Sequence, residues 1–478
     1  MAYEEILIEE KVPHFLKKEA STVVKMARSF AGEFLSKESP VLEKKVFHDS
    51  QYVSHELAQE LNRRGLINLW LPRVFGGRGF HPYTMYLFNE ELGRLCLSTA
   101  NILGAHYVAL SVLSASMNVK LMRSLLLKIE KGRLAQKPCL FSIAVTEPNA
   151  GTDVEDYRLL PKAQINCFAK KTQGGYLLNG RKMFISGSHL SSWFIVVAYE
   201  NRRDLPSSVV SFAIPKGAKG FSIGPMERKM GQSLCPTAEL IFSNCFIPDK
   251  YVVLNSEVLS PLGDLAQLNE ILHEDVISMS RAGVGAFSAG ANLRAFLIAA
   301  DYFKEKPARL QNQLAQKKLA EIYNHYLTSK LQYLDVAQHL IFRGPMRHLF
   351  KEKAHSQLKK TPLFLQRLGL WWITLTPKKT QQRWLEKRFQ KFNEGAHSSL
   401  SAMASMVKRN NSMRTMQSIQ WAFELMGRDA IKSEYGLERL LRDSKLLEIY
   451  EGSNEINSLN MINKSKKHLG LDYQEYYG

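Results

Sequence analysis

The apolar residues of this chain change their spacing twice, and those two changes restrict the fold more than any one motif does. Over 23–34, 53–64 and 85–97 they recur every three or four residues, the period of an amphipathic helix, with Pro and Gly clusters between the runs. From 140 to about 254 the runs shorten and turn β-rich, at 176–178, 183–186, 193–198, 209–214 and 239–247, with turn pairs at Gly174, Gly175 and at Asn179, Gly180. Helical spacing returns over 276–302, 314–341, 398–426 and 437–450, in lengths that suit an antiparallel bundle. Such segregation predicts an α+β protein, with an all-helical domain over 1–138, a compact antiparallel β domain over 139–255 and a helical bundle over 256–478.

At 478 residues and 45% hydrophobic content the chain is long enough to bury several cores. Its five cysteines include no CxxC pair, so no metal site is read from them, and the acids Glu4, Glu5, Glu9 and Glu10 give the N-terminus no leader character; a cytoplasmic protein is expected. No membrane span is expected either, because the best apolar window, 102–119, is interrupted by His106 and serines. The net charge of +19 is concentrated: residues 343–392 hold thirteen Lys or Arg against Glu352 and Glu386. Within that stretch Leu363, Phe364, Leu368, Trp371 and Trp372 are flanked by Lys359, Lys360, Lys378 and Lys379. A cation-flanked apolar core suits peripheral contact with the inner face of a membrane; a solvated loop over a small buried patch, or a protein partner, are the competing readings. Nucleic-acid binding is not expected, since no recognition fold accompanies the charge.

Two segments carry chemistry. In Ile449, Tyr450, Glu451, Gly452, Ser453, Gly452 can end one helix and Ser453 or Asn454 can cap the next, which points the Glu451 carboxylate out of a junction where a general base must reach its substrate. About three hundred residues earlier, Val145, Thr146, Glu147, Pro148, Asn149, Ala150, Gly151, Thr152, Asp153 make a sharply turned, oxygen-rich loop after the apolar run 140–145. Gly283, Val284, Gly285 fail as a dinucleotide fingerprint, having no preceding strand and no third glycine.

With Asn179 to Lys182 followed by Phe184, Ile185, Ser186, with Met230, Gly231, Gln232, and with the helix from Arg439 to Asp443, these segments resemble the acyl-CoA dehydrogenase family of flavoenzymes. The resemblance spans nearly the whole chain except about 343–392. It implies FAD held between the β domain and the bundle and touched by a second subunit, hence a homodimer or homotetramer. The implied reaction is α,β-dehydrogenation of a fatty acyl-CoA to the trans-2-enoyl-CoA, a β-oxidation step that passes electrons to an electron-transfer flavoprotein. Such a reaction needs a base, a polarised carbonyl and a hydride acceptor, and no side chain accepts hydride. By the resemblance Glu451 is the base. Ile143, Val145, Thr146, Gly151, Thr152, Phe184, Ile185 and Ser186 lie along the flavin; Lys306, Glu424, Gly427, Ser453 and Glu455 serve the rest of the cofactor; and Thr152, Ser280, Arg281 and Gly452 line the substrate. The chain departs from the family where R-x-x-F-G becomes Lys306, Pro307, Ala308, Arg309, Leu310 and where Q-x-x-G-G becomes Glu424 to Arg428, since lysine keeps a charge without arginine's bidentate fork. Ser280 stands where some relatives carry their base. An oxidase that hands electrons to oxygen, and a degenerate scaffold or assembly factor without catalysis, are the alternatives.

Overall fold

The computed structural model describes residues 10–344, 347, 350–375, 377–390, 392 and 394–469, so Glu4, Glu5, Glu9 and Lys391 lie outside the described residues. Among the described residues, the helices before the sheet include α1 (Lys17–Phe30), α2 (Ser36–His48), α3 (His55–Arg63), α4 (Tyr83–Leu95), α5 (Leu97–Ala115) and α6 (Val119–Leu134). After the sheet and two one-turn helices, α7 (Thr152–Glu155) and α8 (Ser256–Leu259), come α9 (Leu265–Glu305), α10 (Gln313–Arg343), α11 (Glu352–Lys360), α12 (Leu363–Thr374), α13 (Pro377–Gln390), α14 (Glu394–Met426), α15 (Leu437–Lys445) and α16 (Asn454–Leu469). Helical layers therefore flank a central sheet, the α+β arrangement that the segregated periodicities predict.

The sheet runs β6-β7-β3-β2-β4-β5-β8, built from β2 (Phe168–Thr172), β3 (Gly175–Ser186), β4 (Ser191–Tyr199), β5 (Val209–Pro215), β6 (Phe221–Met226), β7 (Thr237–Pro248) and β8 (Val252–Leu254). The expectation of a purely antiparallel domain needs correction. β1 (Leu140–Ala144) pairs parallel with β4, which the long connection from 145 to 190 permits because it carries the chain back to the same end of the sheet. That connection includes the oxygen-rich loop. The runs 176–178 and 183–186 prove to be one strand, β3, whose pairing with β7 slips at Leu178/Gly180 and again at Lys182/Ile185. The second slip breaks the ladder beside Phe184.

α9 is the axis of the helical half and packs along α14, α10 and α4. It approaches α4 so closely that a Cβ on Gly290 would lie 1.9 Å from the Glu90 carbonyl oxygen. We expect Gly290→Val to destabilise the protein by about 1–3 kcal/mol, the cost of overpacking a filled interface, read as a lowered thermal midpoint. Between α4 and α10 the buried Glu90 accepts hydrogen bonds from Lys330 Nζ and Tyr326 Oη, each at 2.8 Å, and from Tyr333. The helices α5 and α9 are long and apolar enough to cross a bilayer, yet 61% and 83% of their apolar windows are buried in the fold, so both are core helices.

Candidate active site

The oxygen-rich loop is fastened to β3 from below. Lys182 Nζ donates to Val145 O at 2.8 Å and pairs with Glu147 Oε1 at 2.8 Å, both side chains being fully buried. Glu147 Oε2 accepts the amides of Asn166 and Cys167 at 2.6 and 3.1 Å, and Met183 N donates to Thr146 O at 2.9 Å. Ser142 Oγ donates to Ser186 O at 2.6 Å and so ties β1 to the end of β3. The outer surface of this unit is different. Phe184 has φ 60° and is 55% exposed, a strained backbone and an uncovered ring at the strand slip, with Thr146, Thr152 and Ser186 partly exposed nearby in the sequence of the same two segments. Ile143 and Val145 are partly buried against cores, and Ile185 is buried inside the β domain, so Ile185 has only its backbone to offer a cofactor. Thr146 Cγ2 lies 3.8 Å from where a Cβ on Gly151 would be.

Glu451 sits in the loop between α15 and α16, which Ser453 Oγ begins by accepting Ile456 N at 3.3 Å. Glu451 and Gly452 are both left-handed, at φ 55° and 79°, and a Cβ on Gly452 would fall 2.7 Å from Glu155 Oε2. Only glycine fits there. The loop is held by its carbonyls: Glu451 O accepts Arg281 Nε and Asn457 Nδ2 at 3.2 Å each, and Gly452 O accepts Lys408 Nζ at 2.6 Å and Asn457 Nδ2 at 2.8 Å. With the carbonyls turned inward, no group among the described residues accepts the amide N–H of Glu451.

Burial raises the Glu451 carboxyl above the ordinary carboxylate range, opposed by a hydrogen bond from Ser280 and by the charges of Arg281 and Lys408. Next to it is a second carboxyl that the sequence did not disclose. Glu155, at the end of α7, has its buried Oε2 3.8 Å from Arg281 Nη2, and burial pushes the carboxyl up to about 7, opposed by the Arg281 charge, with the Glu451 charge adding to the effect. Lys408 is pushed down to about 8 by its own burial. Because the folded-state value of Glu155 exceeds the ordinary 4.5, its contribution to stability is full below that value and is lost as pH rises through about 7. Urea melts at pH 5 and 8 are therefore expected to differ less for Glu155→Gln than for the parent, by up to about 3 kcal/mol.

Thus the loop bearing Thr152, the helix bearing Ser280 and Arg281, and the junction bearing Glu451 and Gly452 converge, whereas Lys306, Glu424 and Gly427 do not join them. Lys306 is about 37 Å along α9 from Arg281 at 1.5 Å per residue. There it pairs with Asp429 at 2.5 Å, Glu424 pairs with Lys318, and Gly427 is left-handed at φ 60°. Glu455 is exposed on the first turn of α16, where its own amide and Ser453 hold its carboxyl below the ordinary range. Sequence reasoning missed Glu155, Lys408, Asn457 and the Lys182–Glu147 pair, of which only the last carries a signal, both partners standing inside recognisable motifs.

Three domain models of one family match the chain in order: Acyl-CoA dehydrogenase, N-terminal domain over 17–129, middle domain over 142–245 and C-terminal domain over 362–466. The chain belongs to the acyl-CoA dehydrogenase family. As a family member it is an oxidoreductase of acyl-CoA thioesters with FAD as cofactor, and the exposed Phe184 ring beside Thr146 and Ser186 fits a flavin. It is 26% identical to the acryloyl-CoA reductase (NADH) of Anaerotignum propionicum over 93% of each chain. In fold it is similar to the butyryl-CoA dehydrogenase of Megasphaera elsdenii (TM-score 0.68, 21% identity, 93% of this chain and 97% of that one) and to PigA solved with FAD and proline (TM-score 0.69, 20% identity, 95% and 98%).

Proposed function

We propose that this acyl-CoA dehydrogenase family member removes a proton and a hydride from the α and β carbons of a fatty acyl-CoA, yielding the trans-2-enoyl-CoA, and that an electron-transfer flavoprotein takes the electrons. The observation that carries this reading is the Glu451 junction, where a buried carboxyl and an unused amide N–H issue from one residue beside the flavin loop. FAD, when bound against Phe184, Thr146 and Ser186, supplies the hydride acceptor. Glu451 takes the α-proton, and its amide, aimed by the Arg281, Lys408 and Asn457 clamp, donates to the thioester oxygen as charge develops there. An apolar acyl chain entering the site removes more water from Glu451 and strengthens it as a base. Run in reverse, the same carboxyl returns the proton, so the electron partner sets the direction.

Ser280 tunes this base. Its hydroxyl favours the charged carboxylate, so Ser280→Ala is expected to move the acid limb of the pH–rate profile upward by about one unit, the worth of one charge-assisted hydrogen bond. The function itself is tested by anaerobic titration of the FAD-loaded protein with straight-chain acyl-CoAs. Loss of flavin absorbance with enoyl-CoA formation supports it, and unchanged absorbance across every chain length rejects it. Reoxidation by electron-transfer flavoprotein faster than by air separates the dehydrogenase from an oxidase.

A further inference from the structure

We propose that α12 docks this protein onto an anionic lipid surface. The insertion is a built platform, with its two outer helices pinned by polar contacts. At one end Lys359 pairs with Glu19, His355 Nε2 lies 3.2 Å from the same carboxylate, and Arg73 Nη1 donates to Lys359 O at 2.9 Å. At the other end Arg388 pairs with Asp275 and donates to Ala115 O at 3.0 Å, Gln381 Nε2 donates to Ser116 O at 2.8 Å, and Leu385 is fully buried.

The middle helix is mounted differently. No residue of α12 is buried, and its Leu370 is partly buried against the main core. Phe364 (68% exposed), Leu368, Trp371, Trp372 (63%) and Leu375 follow one another at spacings of four, three, one and three, which places them along one side of the helix, facing solvent. An apolar stripe of this extent on a protein surface marks a site of contact.

Charge identifies the occupant. Lys353, Lys360, Arg367, Lys378, Lys379 and Lys387 are exposed and form no ion pair among the described residues. They lie on α12 itself and on the helices that precede and follow it in the chain. Between α12 and α6 lies a groove of about 440 Å³ in which Leu127, Trp371 and Leu375 meet the exposed cations Lys120 and Arg123. An apolar floor with cations at its rim matches a lipid acyl chain beneath an anionic headgroup, and paired tryptophans are the residues that settle at such an interface. A protein partner would need acidic and apolar groups in the same alternation, whereas a bilayer of anionic lipid offers both everywhere.

The test uses the full FAD-loaded chain with vesicles of phosphatidylcholine, made with or without phosphatidylglycerol. The protein is expected to cosediment with the phosphatidylglycerol vesicles and to be released by salt. Its tryptophan emission should shift to the blue and be quenched by brominated acyl chains. Lys378→Glu/Lys379→Glu is expected to weaken binding by roughly five-fold or more per cation, the equivalent of about 1 kcal/mol each. Phe364→Ser/Leu368→Ser/Trp372→Ser should abolish the emission shift while leaving the melting temperature and acyl-CoA turnover of the parent. Equal binding to both kinds of vesicle, binding that survives both variants, or no binding at all overturns the proposal. So does a triple variant that changes only the size of the assembly, because a second copy of the chain would then be what covers the stripe.

Discussion

Glu451→Gln is expected to bind acyl-CoA nearly as well as the parent and to lose proton abstraction, with flavin reduction slowed about a hundred- to ten-thousand-fold, the usual worth of a positioned base. The amide side chain keeps the length, and the backbone that makes the junction is unchanged, because the hydrogen bonds from Arg281, Lys408 and Asn457 go to the carbonyls of residues 451 and 452 and not to the side chain. Two readouts separate chemistry from folding. Acyl-CoA should still perturb the flavin spectrum of the variant in the static titration, and only the rapid reduction phase should disappear. Reduction at the parental rate would remove Glu451 from the mechanism and turn attention to Glu155, the neighbouring carboxyl that burial raises to about 7.

The legible parts of this chain are those whose chemistry is local. A left-handed pair at Glu451 and Gly452 needs glycine next to the base, and a cap needs Ser453, so the junction can be read from five letters. The long helices α9, α10 and α14 were legible because many turns average out local noise. α5 falls inside the all-helical region predicted over 1–138 but shows no periodic run of its own: it buries Leu97, Ile102, Leu103, Ala109 and Leu113 around much of its circumference, which erases the one-sided stripe that periodicity detects. β2 escaped because Lys170 and Lys171 are exposed in a strand of only five residues.

At the site the same limit applies. Lys408 reads as one more cation in a helical run and Glu155 as one more acid in a turn; both acquire their roles from α7, α9, α14 and the Glu451 junction meeting in space. The apparent losses at Lys306 and Glu424 look different in three dimensions. Each has a partner within the chain, Asp429 and Lys318, so the departures from the family pattern are matched by charges that a one-dimensional comparison does not connect.

Lys182→Met is expected to cost about 3–5 kcal/mol, because breaking a buried pair strands a charge instead of merely removing an attraction. Methionine roughly fills the volume, but Glu147 keeps its carboxylate in a fully buried position with only the amides of Asn166 and Cys167 to answer it, and Val145 O loses its 2.8 Å donor. Since those contacts bind the loop 145–152 to β3, the damage should reach the cofactor: the variant is expected to melt earlier and to purify with less FAD than the parent. The double variant Lys182→Met/Glu147→Gln distinguishes this from a packing fault. Glutamine's carbonyl oxygen still accepts a backbone amide and carries no charge, so most of the stability and bound flavin should return, whereas a fault caused by the methionine itself would persist in both variants. If the single variant unfolds within about 0.5 kcal/mol of the parent, the range of an ordinary surface substitution, the pair is not what anchors the loop.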